Sequence, residues 1–320
     1  MAVDKKEHLE NVLETHKMAH ENELLEKYKS KREEVKDALT EKYGDKIYTP
    51  FNSGSFKKHT AINIKFDLDL VAPFKRNSFD TLEKMFDDVY EFLNEKYKDE
   101  ATVKKQKVSI GLTFYPDDDG DVVCIDVTPG RELNQDQYAE DKFVNLFVNS
   151  NYGLIPEKST RLQTNIHKQI DHIKAKGDER KTIRLLKVWK SSNSEKYKSF
   201  LLELLCIKAF DCGEVSGNLW EMLKAVMEYI RDNVTKDGFK LTDPGNSNND
   251  IMETLDSAGR TNLSNKMDNI IKRIEENSEN IKTYFPVNEK FEKKEESSEK
   301  TYGIKGSSAL SIPKNNERFG

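Results

Sequence analysis

Cysteine is scarce and scattered in this sequence. Cys124, Cys206 and Cys212 form no CxxC pair, which argues against a disulfide framework and against a zinc ribbon. No run of about 18 apolar residues occurs, so no membrane span is expected. The opening MAVDKKEHLENVLE has no apolar segment of the secretory kind. A cytoplasmic, reduced protein is the expectation. Excess positive charge is also missing. The formal net charge is −5, which argues against a general nucleic-acid coat but leaves room for a local basic groove.

Proline and glycine are absent from residues 5 to 43. Leu9, Val12, Leu13, Leu24, Leu25, Tyr28, Val35 and Leu39 recur there at roughly helical spacing. One helix of this length would span ~57 Å at ~1.5 Å per residue. The stretch reads as a spine behind two lobes, with two helices or a coiled-coil arm as the alternatives.

Strand signals follow. NIKFDLDLVAPF alternates, and VSIGLTFYP and DVVCIDVTP are apolar runs with turn chemistry between them. The acids of DDDGD read as hairpin-turn and solvent chemistry, with an ion-binding loop as the lesser reading. Phe79, Leu82, Met85, Phe86, Val89, Tyr90 and Leu93 form one helical stripe. From about Asp141 the periodicity is mostly helical, through IRLLKVWK, SFLLELL and NLWEMLKAVMEYIRDNV, interrupted by LTDPGNSNNDIME. Trp189, Trp220 and the three cysteines read as core, and His59 as a surface histidine.

Within this pattern one juxtaposition carries chemistry. Residues two apart on a strand share a face, so Asp67 and Asp69 project together while Leu68 and Leu70 enter the core. Two ionised carboxylates this close repel each other. A hard divalent cation removes that cost and favours carboxylate oxygen. Asp126, inside the apolar VVCIDV, supplies a third carboxylate from a later strand. Three carboxylates can hold two Mg²⁺ ions, with Mn²⁺ as a substitute, for an in-line displacement that releases pyrophosphate. Upstream, Gly54 allows the backbone to approach a phosphate, and Ser55 offers a hydroxyl and an N–H to it.

GSFKKHTAI, DLDL and CIDV together resemble the polymerase-β-like nucleotidyltransferases, and more narrowly the bacterial cyclic-oligonucleotide synthases (CD-NTases), relatives of cyclic GMP-AMP synthase and oligoadenylate synthetase. The resemblance covers roughly residues 45 to 255. It implies an α+β fold: a small mixed sheet with helices as catalytic core, a helical C-terminal lobe and a long N-terminal spine helix. The implied division is spine and core over 1–150, helical lobe over 151–289 and flexible tail over 290–320. It also implies donor-phosphate contacts from Arg184 and Lys187, nucleobase contacts from Ser199 and Phe200, and a nucleotide-binding role for Asp243 in DPGNSNN. Where relatives often carry Arg-Gly after Gly-Ser, this chain has Lys57, Lys58 and His59, which leaves those three without an inherited role.

The activity implied is a Mg²⁺-dependent synthase of a cyclic di- or trinucleotide messenger in antiphage signalling, with a separate effector reading the product. A non-cyclising nucleotidyltransferase, making linear oligoadenylate or extending RNA ends, is the alternative enzyme. A nucleotide-binding regulator is the non-enzymatic one. The zinc insertion of the animal DNA-sensing enzyme is absent, so activation by double-stranded DNA is not expected. The polar tail regains Leu310, Ile312, Pro313 and Phe319 before Gly320. The resemblance implies a partner enzyme of the ubiquitin-transfer type acting on that terminal glycine.

Overall fold

The computed structural model describes residues 2–64, 66–149, 161–213 and 215–292. From residue 293 onward the tail expected at 290–320, including Gly320, lies outside the described residues.

The N-terminal stretch is two helices, one of the alternatives its sequence left open, and the second of them, 22 residues long, is the long N-terminal helix that the resemblance implied. α1 (Lys5–Thr15) starts at Asp4, whose side chain accepts from the Glu7 N–H, and α2 (Asn22–Tyr43) follows a 3₁₀ turn at Met18–Glu21. With no Pro or Gly to break it, the interruption comes from tertiary contacts. Asn63 donates through Nδ2 to the carbonyls of Thr15 and Lys17 at 3.0 and 3.1 Å, so these helix-end acceptors are satisfied outside the helix. The break has a packing consequence. Leu9 and Val12 join the core of the helical lobe, whereas Tyr28, Val35 and Leu39 join the core under the sheet.

The sheet is built from β1 (Phe51–Ser53), β2 (Leu68–Phe74), β3 (Ala101–Lys105), β4 (Ile110–Phe114) and β5 (Cys124–Glu132), in the order β1-β2-β5-β4-β3. A single turn, α3 (Gly54–Lys57), leaves β1, and α4 (Leu82–Tyr97) lies between β2 and β3 in sequence. The α4 stripe is that read from the sequence: Met85, Phe86, Val89 and Leu93 are fully buried. β2 and β5 are parallel neighbours and the remaining pairings are antiparallel. After a short α5 (Tyr138–Asp141), β6 (Val144–Phe147) and β7 (Arg161–Thr164) extend the sheet from the far end of β5.

The second lobe holds α6 (Ile166–Asp171), α7 (Gly177–Ser192), α8 (Ser199–Asp211), α9 (Leu219–Asn233), the hairpin β8–β9 (Thr242–Asp243, Asn246–Asp250), α10 (Ser257–Glu276) and α11 (Ile281–Tyr284). α8 is apolar on most of its circumference and runs through the lobe's centre, with Leu201, Leu202, Leu205 and Cys206 fully buried. Trp189 and Trp220 are core, as read. Of the cysteines only Cys206 is buried; Cys212 is exposed and Cys124 lies half-buried on a cleft wall, so the reading of all three as core is corrected.

The β4–β5 connection carries the acids of DDDGD. Lys27 from α2 places its ammonium 2.7 Å from Asp117, 2.7 Å from Asp119 and 2.6 Å from Asp121. The charge this cluster gathers is a lysine of the chain itself, in keeping with structural turn chemistry. Among the described residues, no helix is long and apolar enough to cross a membrane.

Candidate active site

The two lobes face each other across a cleft of about 1190 Å³. Register decides what lies on its floor. In the parallel β2–β5 pair Asp69 stands opposite Asp126, and in the β1–β2 pair Ser53 stands opposite Asp69. Asp67 immediately precedes β2, a residue short of the strand position its spacing suggested. All three carboxylates line the cleft, with Gly54 and Ser55 beside them.

Their electrostatics follow from this crowding. Asp69 is pushed up to about 7, first by burial and then by the charges of Asp67 and Asp126, with Lys58 and Lys187 acting against the shift. Asp126 is pushed up to about 6 by burial and by Asp67, while a hydrogen bond from Gln106 Nε2 at 3.0 Å opposes this. Carboxylates held near one another at this cost are oxygen donors suited to a hard divalent cation.

Two glycines make the floor possible. Gly54 has φ +65°, and a Cβ there would sit 1.6 Å from Asp69 Oδ2. No side chain fits without displacing the carboxylate, so the glycine is required by backbone and by space. Gly111, opposite Asp126 on β4, is the second: its Cβ would lie 2.4 Å from Gln106 Nε2 and 3.1 Å from Asp126 Oδ1. Ser109 Oγ donates to Gln106 Oε1 at 2.7 Å and fixes which end of the amide faces Asp126. A glycine inside the apolar VSIGLTF was the available sign of such a close approach. Gln106 had no sequence signal.

The helical lobe supplies the opposite wall. Lys187 on α7 donates to the carbonyl and the hydroxyl of Thr60 at 2.9 and 3.2 Å, reaching across to the other lobe. Burial pushes it down to about 8; Glu203 and Asp67 oppose the shift, and Lys58 and Lys190 add to it. Ser199 and Phe200 line the cleft at the start of α8, and Lys190 donates to Ser199 Oγ at 3.0 Å. Lys58 Nζ lies 4.6 Å from the Phe200 ring centroid and 2.7 Å from Glu203 Oε1 in a buried ion pair. Glu203 is the one acid in the apolar run from Phe200 to Ile207. That isolation was the signal for it, as a buried acid demands a partner.

Two expected residues are not brought to this cleft. Arg184 lies one turn back along α7, outside the cleft lining, where its buried Nε has no hydrogen-bond partner and burial next to Arg180 lowers its pKa. The cleft-facing basic pair of α7 is Lys187 and Lys190, three residues onward. Asp243 is buried in the second lobe. It accepts from the Gly245 N–H at 2.8 Å, Gln169 Nε2 at 2.9 Å and Asn249 Nδ2 at 3.1 Å, which closes the β8–β9 turn and holds Gln169 at the cleft.

No protein-family model and no curated protein matches the sequence. Solved structures do. Bradyrhizobium diazoefficiens CD-NTase CdnG, determined with GTP, superposes with a TM-score of 0.67 over 89% of this chain and 96% of that one, at 14% identity. E. coli CdnC with ATP gives 0.63 over 83% and 92%, at 18% identity. Vibrio cholerae DncV, a cyclic AMP-GMP synthase, gives 0.58 over 74% and 69%, at 13% identity. These superpositions, none above 18% identity, show that this chain has the fold of the CD-NTases.

Proposed function

We propose that this chain is a nucleotidyltransferase that joins nucleoside triphosphates into a cyclic oligonucleotide with release of pyrophosphate. The observation that carries the reading is the convergence of Asp67, Asp69 and Asp126 beside Gly54 and Ser55, facing Lys187 across the cleft of a CD-NTase fold.

In this reading Asp67, Asp69 and Asp126 hold two Mg²⁺ ions, or Mn²⁺ in their place. Bound there, the ions supply charge neutralisation at the phosphates and a lowered pKa for the attacking hydroxyl. The chain's own groups do the rest. Gly54 brings the main chain close to Asp69, and the hydroxyl and N–H of Ser55 face the triphosphate. Lys187 offers an ammonium from the opposite lobe. Phe200 presents an aromatic face on which any base can stack. Gln106 donates to Asp126 and so favours its ionised form, the form that would accept the proton of the attacking hydroxyl. The solved relatives bound to GTP and ATP support triphosphates as substrates. A product read by a separate effector in antiphage signalling completes the proposal.

Incubation with the four labelled triphosphates and Mg²⁺ or Mn²⁺, followed by phosphatase and mass analysis, tests it. A phosphatase-resistant product with the mass of a cyclised di- or trinucleotide is expected. Phosphatase-sensitive oligomers alone would overturn cyclisation and leave the linear alternative standing.

The α7 placement gives a second test. Lys187→Ala is expected to weaken metal-triphosphate binding by about tenfold, the order of one charge-assisted contact, and to leave nucleoside binding unchanged. Arg184→Gln is expected to leave triphosphate affinity within about twofold, as a side chain off the cleft should. Calorimetric titration with ATP and adenosine reads both. An Arg184 effect as large as that of Lys187 would return the phosphate contact to Arg184.

A further inference from the structure

A second, open cavity of about 480 Å³ is lined by β1, the Lys57–His59 segment, α6 and the start of α7. Its lining is strongly basic. Lys57, His59, His167, Lys174 and Arg180 all contribute, against the single carboxylate of Asp171. Among the described residues no ion pair within 4 Å engages Lys57, Lys174 or Arg180. The Arg180 Nε donates to the Lys176 carbonyl at 3.0 Å, which aims its guanidinium while leaving the terminal nitrogens for a ligand. Lys36, also on the wall, is already paired with Glu33 at 3.0 Å. Burial lowers the His167 pKa; Lys142, outside the cavity lining, and Lys57 add to this, and Asp171 opposes it.

Like charges gathered round a concave space repel one another, and an anion of several charges removes that cost. Lysine and arginine are the side chains that recognise phosphate, the guanidinium in two-pronged fashion. The volume falls within the ~300–1,000 Å³ range of small-molecule pockets and is far too small for a duplex. The connection to the cleft is structural. Lys58 lines both cavities, and its ammonium is the one paired with Glu203 and set over Phe200. The adjoining His59 holds φ +57° and caps α3: its N–H donates to the Phe56 carbonyl at 3.1 Å and the Thr60 N–H to the Ser55 carbonyl at 2.9 Å, which ties this segment to Ser55 on the cleft. Phe51, stacked on His167 with ring centroids 4.1 Å apart, begins β1, which ends at Ser53 immediately before Gly54.

We infer that this second cavity is a binding site for a small molecule bearing two or more phosphate groups, distinct from the catalytic cleft and joined to it through the Lys57–His59 segment. The geometry stands whatever reaction the cleft performs.

Calorimetric titration of the full chain with inorganic tripolyphosphate, in low salt and without divalent metal, tests the site. Saturable binding is expected. Lys174→Glu/Arg180→Glu should weaken it at least about tenfold, whereas Lys187→Ala, in the cleft, should leave it within about twofold. The neutral pair Lys174→Gln/Arg180→Gln, checked by circular dichroism, should give a smaller loss in the same direction and covers the case in which charge reversal unfolds the protein. Absence of saturable binding, or binding lost with Lys187→Ala and kept in both pocket variants, overturns the site. A short DNA duplex that binds through Lys174 and Arg180 while tripolyphosphate does not would overturn the small-molecule assignment.

Discussion

Asp69→Asn abolishes product formation, with an expected loss of at least about a thousandfold, and at the same time stabilises the metal-free protein at alkaline pH. The first effect follows if Asp69 is a metal-holding carboxylate, since the amide has no charge to offer. The second follows from its environment. Asp69 is raised to about 7 from 3.8 by burial and by Asp67 and Asp126. Below the unfolded value both states are protonated and the residue contributes nothing to pH dependence. Between about 4 and 7 the unfolded state has released the proton and the folded state retains it, so stability falls as pH rises. Above about 7 the loss is complete. Asparagine carries no such penalty, so the variant's gain in Tm in EDTA should be small at pH 5 and largest at pH 8. Mg²⁺ should raise the Tm of the wild type at pH 8 and do little for the variant. Retained turnover, or a Tm gain equal at both pH values, would remove Asp69 from the site.

How much of this was legible in the sequence depends on which interactions are local. The D-x-D at the start of β2, Asp67 just before the strand and Asp69 within it, and the lone aspartate of CIDV were readable because acids stand out against alternating apolar strand residues. Their apolar flanks, Leu68, Leu70, Ile125 and Val127, are buried as alternation requires. That Asp69 faces Asp126 in register was not readable, because pairing between β2 and β5 is set by the sheet as a whole. The helical stripe of α4 was legible for the same reason as the strands. The break between α1 and α2 was not, because it comes from Asn63, more than forty residues away, and not from a breaker in the helix itself. Arg184 and Lys187 are three apart and indistinguishable by periodicity. Only the packing of α7 against the other lobe decides which of them meets the cleft. Asp243 sits in a loop whose composition signalled a turn, and within that turn it accepts from the Gly245 N–H.

The largest effect on stability is expected at a pair of residues that no motif marked. Lys58 and Glu203 join the core lobe to α8 at 2.7 Å, with side chains only 9% and 5% exposed. Each partner left alone in that setting is an unpaired buried charge, so Glu203→Ala and Lys58→Met should each cost about 3–5 kcal/mol, as breaking a buried pair does. At about 2–4 °C per kcal/mol for a domain of this size, that is a drop in Tm of the order of 10 °C. Replacing both with apolar residues of similar volume removes the two desolvation costs together, so Lys58→Met/Glu203→Met should recover most of the lost stability. It should not recover activity at neutral pH. Lys58 is one of the two cations that hold down the Asp69 pKa; without it the carboxyl keeps its proton to a higher pH, and the acidic limb of the pH–rate profile should move upward. A thermal melt and a pH–rate profile on the single and double variants read the two roles separately. If the double variant is no more stable than the weaker single, the pair is not a buried lobe-to-lobe bridge. If its acidic limb coincides with that of the wild type, Lys58 does not act on the carboxylate site.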